Sequence, residues 1–131
     1  MEEKEVYVYA EDLMVDDWVS LRETDGDYPA SNCQISFKNL IRLNSGYLEA
    51  KPIPLTDEIL KKNGFIKERE WGGFKIKDCL ELVHAGMFSM HSYEFVGTDN
   101  SSSACTGIYI DYVHELQHIL KQCEIKKKIE V

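Results

Sequence analysis

His114, Glu115 and His118 spell His-Glu-x-x-His inside the stretch Tyr112-Val113-His114-Glu115-Leu116-Gln117-His118-Ile119-Leu120-Lys121-Gln122-Cys123. Two histidines four apart on a helix can set both rings on one zinc ion, and a glutamate between them can activate the metal-bound water. The chemistry this spacing offers is therefore metal-dependent hydrolysis, with His114 and His118 as ligands and Glu115 as base. The same residues also describe a packing helix that closes a small domain without binding metal, and that is the reading we adopt.

Three physical tests separate the two. At about 100° per residue, Tyr112, Val113, Leu116, Ile119, Leu120 and Cys123 gather on one side of the predicted helix. His114 and His118 then fall opposite that stripe, beside Lys121, and are expected to face water. A catalytic zinc instead needs a walled cleft and outer partners that hold the rings. A third ligand is also required, and the residues after His118 offer only Cys123 on the core face, with Glu124 and Glu130 in a short tail. Upstream, His84, His91, Glu94 and Cys105 are possible donors, and nothing in the spacing selects one. Finally, position 121 is Lys where a glycine turn would bring a further histidine round. The expectation is no catalytic residue, no metal ligand and no cofactor; the zinc arrangement stands as the alternative.

The elements that would position this helix follow from local pattern. Val6–Tyr9 suggests a short strand or ordered arm, and Asp16-Asp17 makes a turn feeding a strand that begins at Trp18. Gln34 to Leu43 carries Ile35, Phe37, Leu40, Ile41 and Leu43 and predicts a strand with a break at Lys38-Asn39. After the turn Asn44-Ser45-Gly46, another strand starts at Tyr47. Thr56 is a good N-cap for a short helix over about 56 to 63, with Asp57 and Glu58 at its positive end, Lys61 and Lys62 at its negative end, and Asn63-Gly64 as the stop. Phe74-Lys75-Ile76, Cys79–Val83 and Met87–Val96 predict strands, with a turn at His84-Ala85-Gly86. Gly97 to Ala104 is polar and small and predicts a loop, and Ile108-Tyr109-Ile110 a last core strand. The expected fold class is α+β: one domain over residues 1–131, with a small antiparallel sheet, SH3-like or bent, a short central helix and a closing C-terminal helix.

Composition narrows the function classes. The 131 residues carry a formal net charge of −8, which disfavours sequence-independent binding to nucleic acid or an anionic membrane, because both need basic patches. Lys126-Lys127-Lys128 is the one basic run and reads as solvated surface. The start, Met-Glu-Glu-Lys-Glu, is charged where a secretory leader needs a basic start and an apolar run, so a cytoplasmic location is expected. Cys33, Cys79, Cys105 and Cys123 form no Cys-x-x-Cys pair and are expected to be buried free thiols. Trp18 is expected in the core, given the area it must bury.

Three islands carry a resemblance: Asp12-Leu13 with Trp18-Val19, Pro52-Ile53-Pro54-Leu55-Thr56 running on to Phe65, and Tyr112-Val113-His114-Glu115-Leu116-Gln117. Together the chain resembles a group of small uncharacterised proteins encoded in prophages and mobile elements of gut anaerobic bacteria. Met14-Val15-Asp16-Asp17-Trp18 departs from the group's Leu-Arg-x-Gly-Asn-Tyr-Val at that place. The group accepts Gln in place of Glu115 and Asn in place of His118, which the resemblance turns against a zinc role. It implies a genomic setting and no activity. The expected function is that of a non-enzymatic accessory protein that binds another protein; the alternative is a zinc-dependent hydrolase.

Overall fold

In the computed structural model the Asp-Asp turn does feed a strand, β1 at Trp18–Glu23, whose alternate residues Val19 and Leu21 are buried. The structure describes residues 6–26, 29–67, 73–76, 80–85, 90–99 and 102–131, with positions 80, 97–99 and 102–107 described through their backbone. The class is α+β, with three α-helices and two antiparallel sheets among the described residues. The chain divides into two compact units, one of Met1–Pro54 with Tyr112–Lys127 and Val131, the other of Leu55–Asp111 with Lys128–Glu130.

In the first unit β1 is the middle strand. β2 (Ser31–Gln34) pairs on one side, from Trp18 opposite Gln34 to Leu21 opposite Ser31. β3 (Leu48–Pro52) pairs on the other, from Val19 opposite Pro52 to Glu23 opposite Leu48. Val8 adds a single bridge to Ala50, so the N-terminal arm touches β3 without becoming a full strand. Val8, Leu13, Val19, Leu21, Ile35, Leu48 and Ala50 form the core, against which Leu40, Leu43 and Cys33 pack. Each fully buried aliphatic side chain contributes roughly 1.5–3 kcal/mol.

Between β2 and β3 the predicted strand is a helix, α1 (Phe37–Asn44). Its apolar residues recur at 37, 40, 41 and 43, a helical rather than a two-residue repeat, and Ser36 caps it by accepting the Asn39 N–H at 3.2 Å. The Lys38-Asn39 "break" is simply the polar side of its first turn. Leu40 and Leu43 reach the core while Phe37 and Ile41 are exposed.

The second unit begins with the capped helix as expected. α2 (Asp57–Lys62) has Thr56 accepting the Ile59 N–H at 3.2 Å and Gly64 at φ 84° after its end. Asn63 bonds both sides of the Glu130 peptide group, at 2.7 Å each, so one side chain ends the helix and ties down the tail beside the buried Ile129. A meander follows in the order β4-β5-β6-β7-β8: Ile66–Lys67, Phe74–Ile76, Leu80–His84, Tyr93–Asp99 and Ser102–Ile110. Leu60, Phe74, Leu82, Val96 and Ile110 are buried within this unit. Gly97–Asp99 and Ser102–Ala104 of the predicted loop are instead paired strand, with Gly97 opposite Ala104 and Asp99 opposite Ser102. Small polar residues composed the stretch, and backbone pairing, to which composition is blind, made it sheet. Ile110 is core as expected, whereas Ile108 and Tyr109 are exposed. The turn predicted at Gly86 and the strand start at Met87 lie outside the described residues, as do Trp71 and Cys79.

All three helices end alike. The residue after the cap takes a left-handed conformation, and the next N–H bonds back six residues inclusive: Tyr47 to Arg42, Phe65 to Leu60 and Ile125 to Leu120, at 2.9, 3.0 and 2.9 Å. At two of these ends the left-handed residue is glycine, Gly46 and Gly64, but after α3 (Val113–Gln122) it is Glu124 at φ 57°. Since a side chain in that conformation costs about 1–2 kcal/mol, Glu124→Gly is expected to stabilise the protein by roughly 1 kcal/mol, and Glu124→Ala is not. Urea midpoints at constant slope measure the difference.

Candidate functional site

α3 lies in the first unit, and its N-terminus is fixed by backbone. Val113 donates to the Ile53 carbonyl at 2.9 Å, and Tyr112 bridges to Pro54. Glu115 reaches back to accept the Tyr112 N–H at 3.0 Å, which satisfies one of the orphan donors of the first turn. The residue that would be the base of a zinc hydrolase is thus a helix cap.

The expected water-facing side of α3 is only partly exposed: His118 is half-buried and Lys121 exposed, but His114 is buried. His114 is 7% exposed and Gln117 9%, alongside the apolar Val113, Leu116, Ile119 and Leu120. The middle of the apolar stripe is buried as expected, while its end at Cys123 is exposed; His114 is buried because the polar side meets a second polar element. That element is the turn Met14–Asp17 ahead of β1, in which Asp17 donates to the Met14 carbonyl at 3.1 Å and Asp16 sits at φ 76°. Gln117 spans it: its Oε1 accepts the Trp18 N–H at 2.8 Å and its Nε2 donates to the Asp16 carbonyl at 2.9 Å. His118 Nε2 lies 2.6 Å from Asp17 Oδ2, which also accepts the Met14 N–H at 2.7 Å. Gln34 donates to the Asp16 carbonyl at 3.1 Å, the Asp16 N–H donates to the Ile35 carbonyl at 2.8 Å, and the Ile35 N–H donates to the Asp17 carbonyl at 2.8 Å. Asp17 is completely buried, and among the described residues its Oδ1 has no hydrogen-bond partner; neither has His114 Nδ1.

The two imidazoles stand edge to face with centroids 5.7 Å apart, and Tyr112 stacks parallel to His114 at 5.9 Å. Burial pushes the His114 pKa below its ordinary value, and His118 adds to that shift, while Glu115, Asp17 and Asp12 pull the other way without overcoming it. Both histidines, with Tyr112, Glu115, Asp12, Tyr7 and Pro52, line a cavity of about 340 Å³. Among the described residues no three His, Cys, Asp or Glu side chains stand close enough to hold a metal ion together. The Nε2 atom of His118 faces a carboxylate in the manner of an oriented imidazole, and the arrangement fastens a helix to a turn.

No protein-family model, no curated protein and no solved structure matches the chain.

The other predicted donors fall elsewhere. In the second unit His84 Nε2 lies 2.8 Å from Asp57 Oδ1, which also accepts the Tyr93 hydroxyl at 2.5 Å. Burial alone would raise the Asp57 pKa, but the Tyr93 and His84 bonds outweigh it and hold the carboxyl below the usual range. Burial, and then the carboxylate, push the Tyr93 hydroxyl well above its ordinary value. His91 Nδ1 lies 2.8 Å from Asp111 Oδ2, and its ring stacks on Tyr109 at 4.3 Å. Glu94 lies in β7, and the side chain of Cys105 lies outside the described residues. Cys123 is exposed rather than buried, because the helix ends there and the chain turns away at Glu124. Cys33 is half-buried, which raises its thiol pKa, and Trp18 is half-buried rather than core. No helix among the described residues is long and apolar enough to cross a membrane.

Sequence reasoning missed Asp17 and Gln117. The signal was present: an Asp-Asp turn and an i, i+3, i+4 polar set, His114, Gln117 and His118, with matching hydrogen-bonding groups.

Proposed function

We propose that the chain is a non-enzymatic accessory protein that acts by binding another protein, in the phage or mobile-element setting its sequence resemblance suggests. The observation that supports this is a groove of about 630 Å³ in the first unit, lined by Tyr7, Val8, Tyr9, Leu43, Gly46 and Leu48. Tyr9, Tyr47, Phe37 and Ile41 are exposed in the same unit, a concentration of aromatic and apolar surface of the kind protein partners bury. The three-stranded sheet, whose β3 lines the groove, is the SH3-like element in this reading, and exposed tyrosines are anchors with a small entropic cost of ordering. The acidic balance of the chain favours a partner that is not nucleic acid.

The zinc-hydrolase alternative would have Glu115 leave the helix cap and His118 leave Asp17. Metal analysis of untagged protein separates the two readings: stoichiometric zinc lost in His118→Ala supports the hydrolase, and its absence supports binding without metal.

A photo-crosslinking residue at Tyr9 or Tyr47, expressed in the host, tests the proposal against the same label at the exposed Lys128 of the second unit. One discrete adduct from the first two positions, weakened by Tyr7→Ala and absent from the third, is expected. Equal labelling from all three, or none, would sink it.

A further inference from the structure

We propose that the cavity between the N-terminal arm and the first turn of α3 is a binding site for a guanidinium group, the planar cation of an arginine side chain or of a free guanidino compound. Its volume of about 340 Å³ falls at the small end of the range for ligand sites, about 300–1,000 Å³. The wall combines the rings of Tyr7, Tyr112 and His114 with the carboxylates of Asp12 and Glu115, and among the described residues no lysine or arginine lines it. Carboxylates set the sign of charge such a cavity accepts, and ring faces attract a cation through their quadrupole. The chain already makes one such contact, with the Lys51 ammonium 5.5 Å from the Tyr7 ring centre. Tyr112 and His114 lie within 7° of parallel with centroids 5.9 Å apart, so a planar cation aligned with one ring is aligned with the other.

A second observation points to a ligand that carries N–H donors. His114 is 7% exposed, and its Nδ1 has no hydrogen-bond partner among the described residues. One buried polar group in the wall is therefore not satisfied from within the protein, at a cost that a donating ligand can offset. A quaternary ammonium has no N–H to give. A divalent metal ion suits the cavity less, because His118 Nε2 is held by Asp17 at 2.6 Å and no three donor side chains converge among the described residues. The start of a helix ordinarily attracts an anion, but here Glu115 supplies that charge by accepting the Tyr112 N–H at 3.0 Å. Asp12, exposed on the short 3-10 turn Ala10–Asp12, is the carboxylate placed to take the flat fork of guanidinium donors.

Nuclear magnetic resonance of the His114 and Tyr112 ring protons tests this, with blocked arginine (N-acetyl-arginine amide) titrated into the whole chain at fixed neutral pH in the presence of a chelator. Saturable shifts with a Kd of about 1 mM are expected. Blocked citrulline, which keeps the shape and lacks the charge, is expected to leave both rings unmoved. Asp12→Asn, at an exposed position, should weaken binding about tenfold, the factor for one charge-assisted hydrogen bond, with the rest of the spectrum unchanged. Glu11→Gln, one residue earlier and in the wall of the other groove, should keep the wild-type affinity. Methylguanidinium separates the two sources: tighter binding of blocked arginine assigns the site to a side chain, and equal or tighter binding of methylguanidinium to a free compound, and either supports the site. Absence of saturable ring shifts overturns the proposal, as do shifts that citrulline reproduces or that survive Asp12→Asn at full affinity. Saturation by zinc without any response to the guanidinium probes overturns it too.

Discussion

Asp17→Ala is expected to destabilise the protein by about 3–5 kcal/mol, because two hydrogen bonds to one carboxylate are lost, each worth roughly 1.5–3 kcal/mol. The carboxylate is fully buried, and Oδ2 serves the Met14 N–H and His118 Nε2 at once. Truncation takes this acceptor from both, and it deletes the group that holds a turn containing a left-handed Asp16. Asp17→Asn should cost less, because the amide oxygen can still receive one of the two donors. Chemical denaturation at neutral pH distinguishes the pair. Equal losses for Ala and Asn would show that the negative charge, rather than the acceptor, is what matters.

Leu116→Ala is the second large effect, with an expected loss of about 2–5 kcal/mol from transfer and cavity terms together. Leu116 is completely buried on the apolar side of α3, flanked along the helix by Val113 and Leu120, which are also closed to solvent. Its loss should leave the polar bonds of Gln117 and His118 in place, so the Trp18 amide should keep a larger share of its protection than in Asp17→Ala. A Leu116→Ala variant within 1 kcal/mol of wild type by denaturant midpoint would place α3 outside the cooperative structure.

How much of this was visible in the letters depends on which force decided each element. α2 was legible to its ends, because Thr56, Asp57, Lys62 and Gly64 are capping and dipole chemistry acting within one segment. β1 and β3 were legible for a similar reason, as turns bound them on one side. α1 was misread because its apolar run is short, and a run of that length fits either period until its Ser36 cap is weighed. The β7–β8 pairing was hidden because it is between strands and its residues are small and polar. On α3 Val113, Leu116, Ile119 and Leu120 are buried as the stripe predicts, yet His114, assigned to water, is buried as well, and Cys123, assigned to the stripe, is exposed. A hydrophobic pattern marks the side that is buried by grease; a side that is buried by hydrogen bonds carries the same letters as one that is solvated. Only the partner, the Asp16-Asp17 turn about a hundred residues away in sequence, tells them apart.

The same contrast explains the motif. His-Glu-x-x-His occurs here with two polar members hydrogen-bonded to protein, Glu115 to the Tyr112 amide and His118 to Asp17, and with His114 stacked on Tyr112. Gln117, which the motif ignores, makes two of the bonds that matter most for position.

A double-mutant cycle between Asp17 and His118, using Asp17→Asn and His118→Gln, tests most directly whether these side chains fasten α3 to the turn. Residues in contact couple by about 0.5–3 kcal/mol, whereas independent sites add within roughly 0.5 kcal/mol. The lock predicts a coupling above 1 kcal/mol at neutral pH in protein stripped of metal by a chelator. Additive losses there, with coupling that returns only when zinc is supplied, would contradict it.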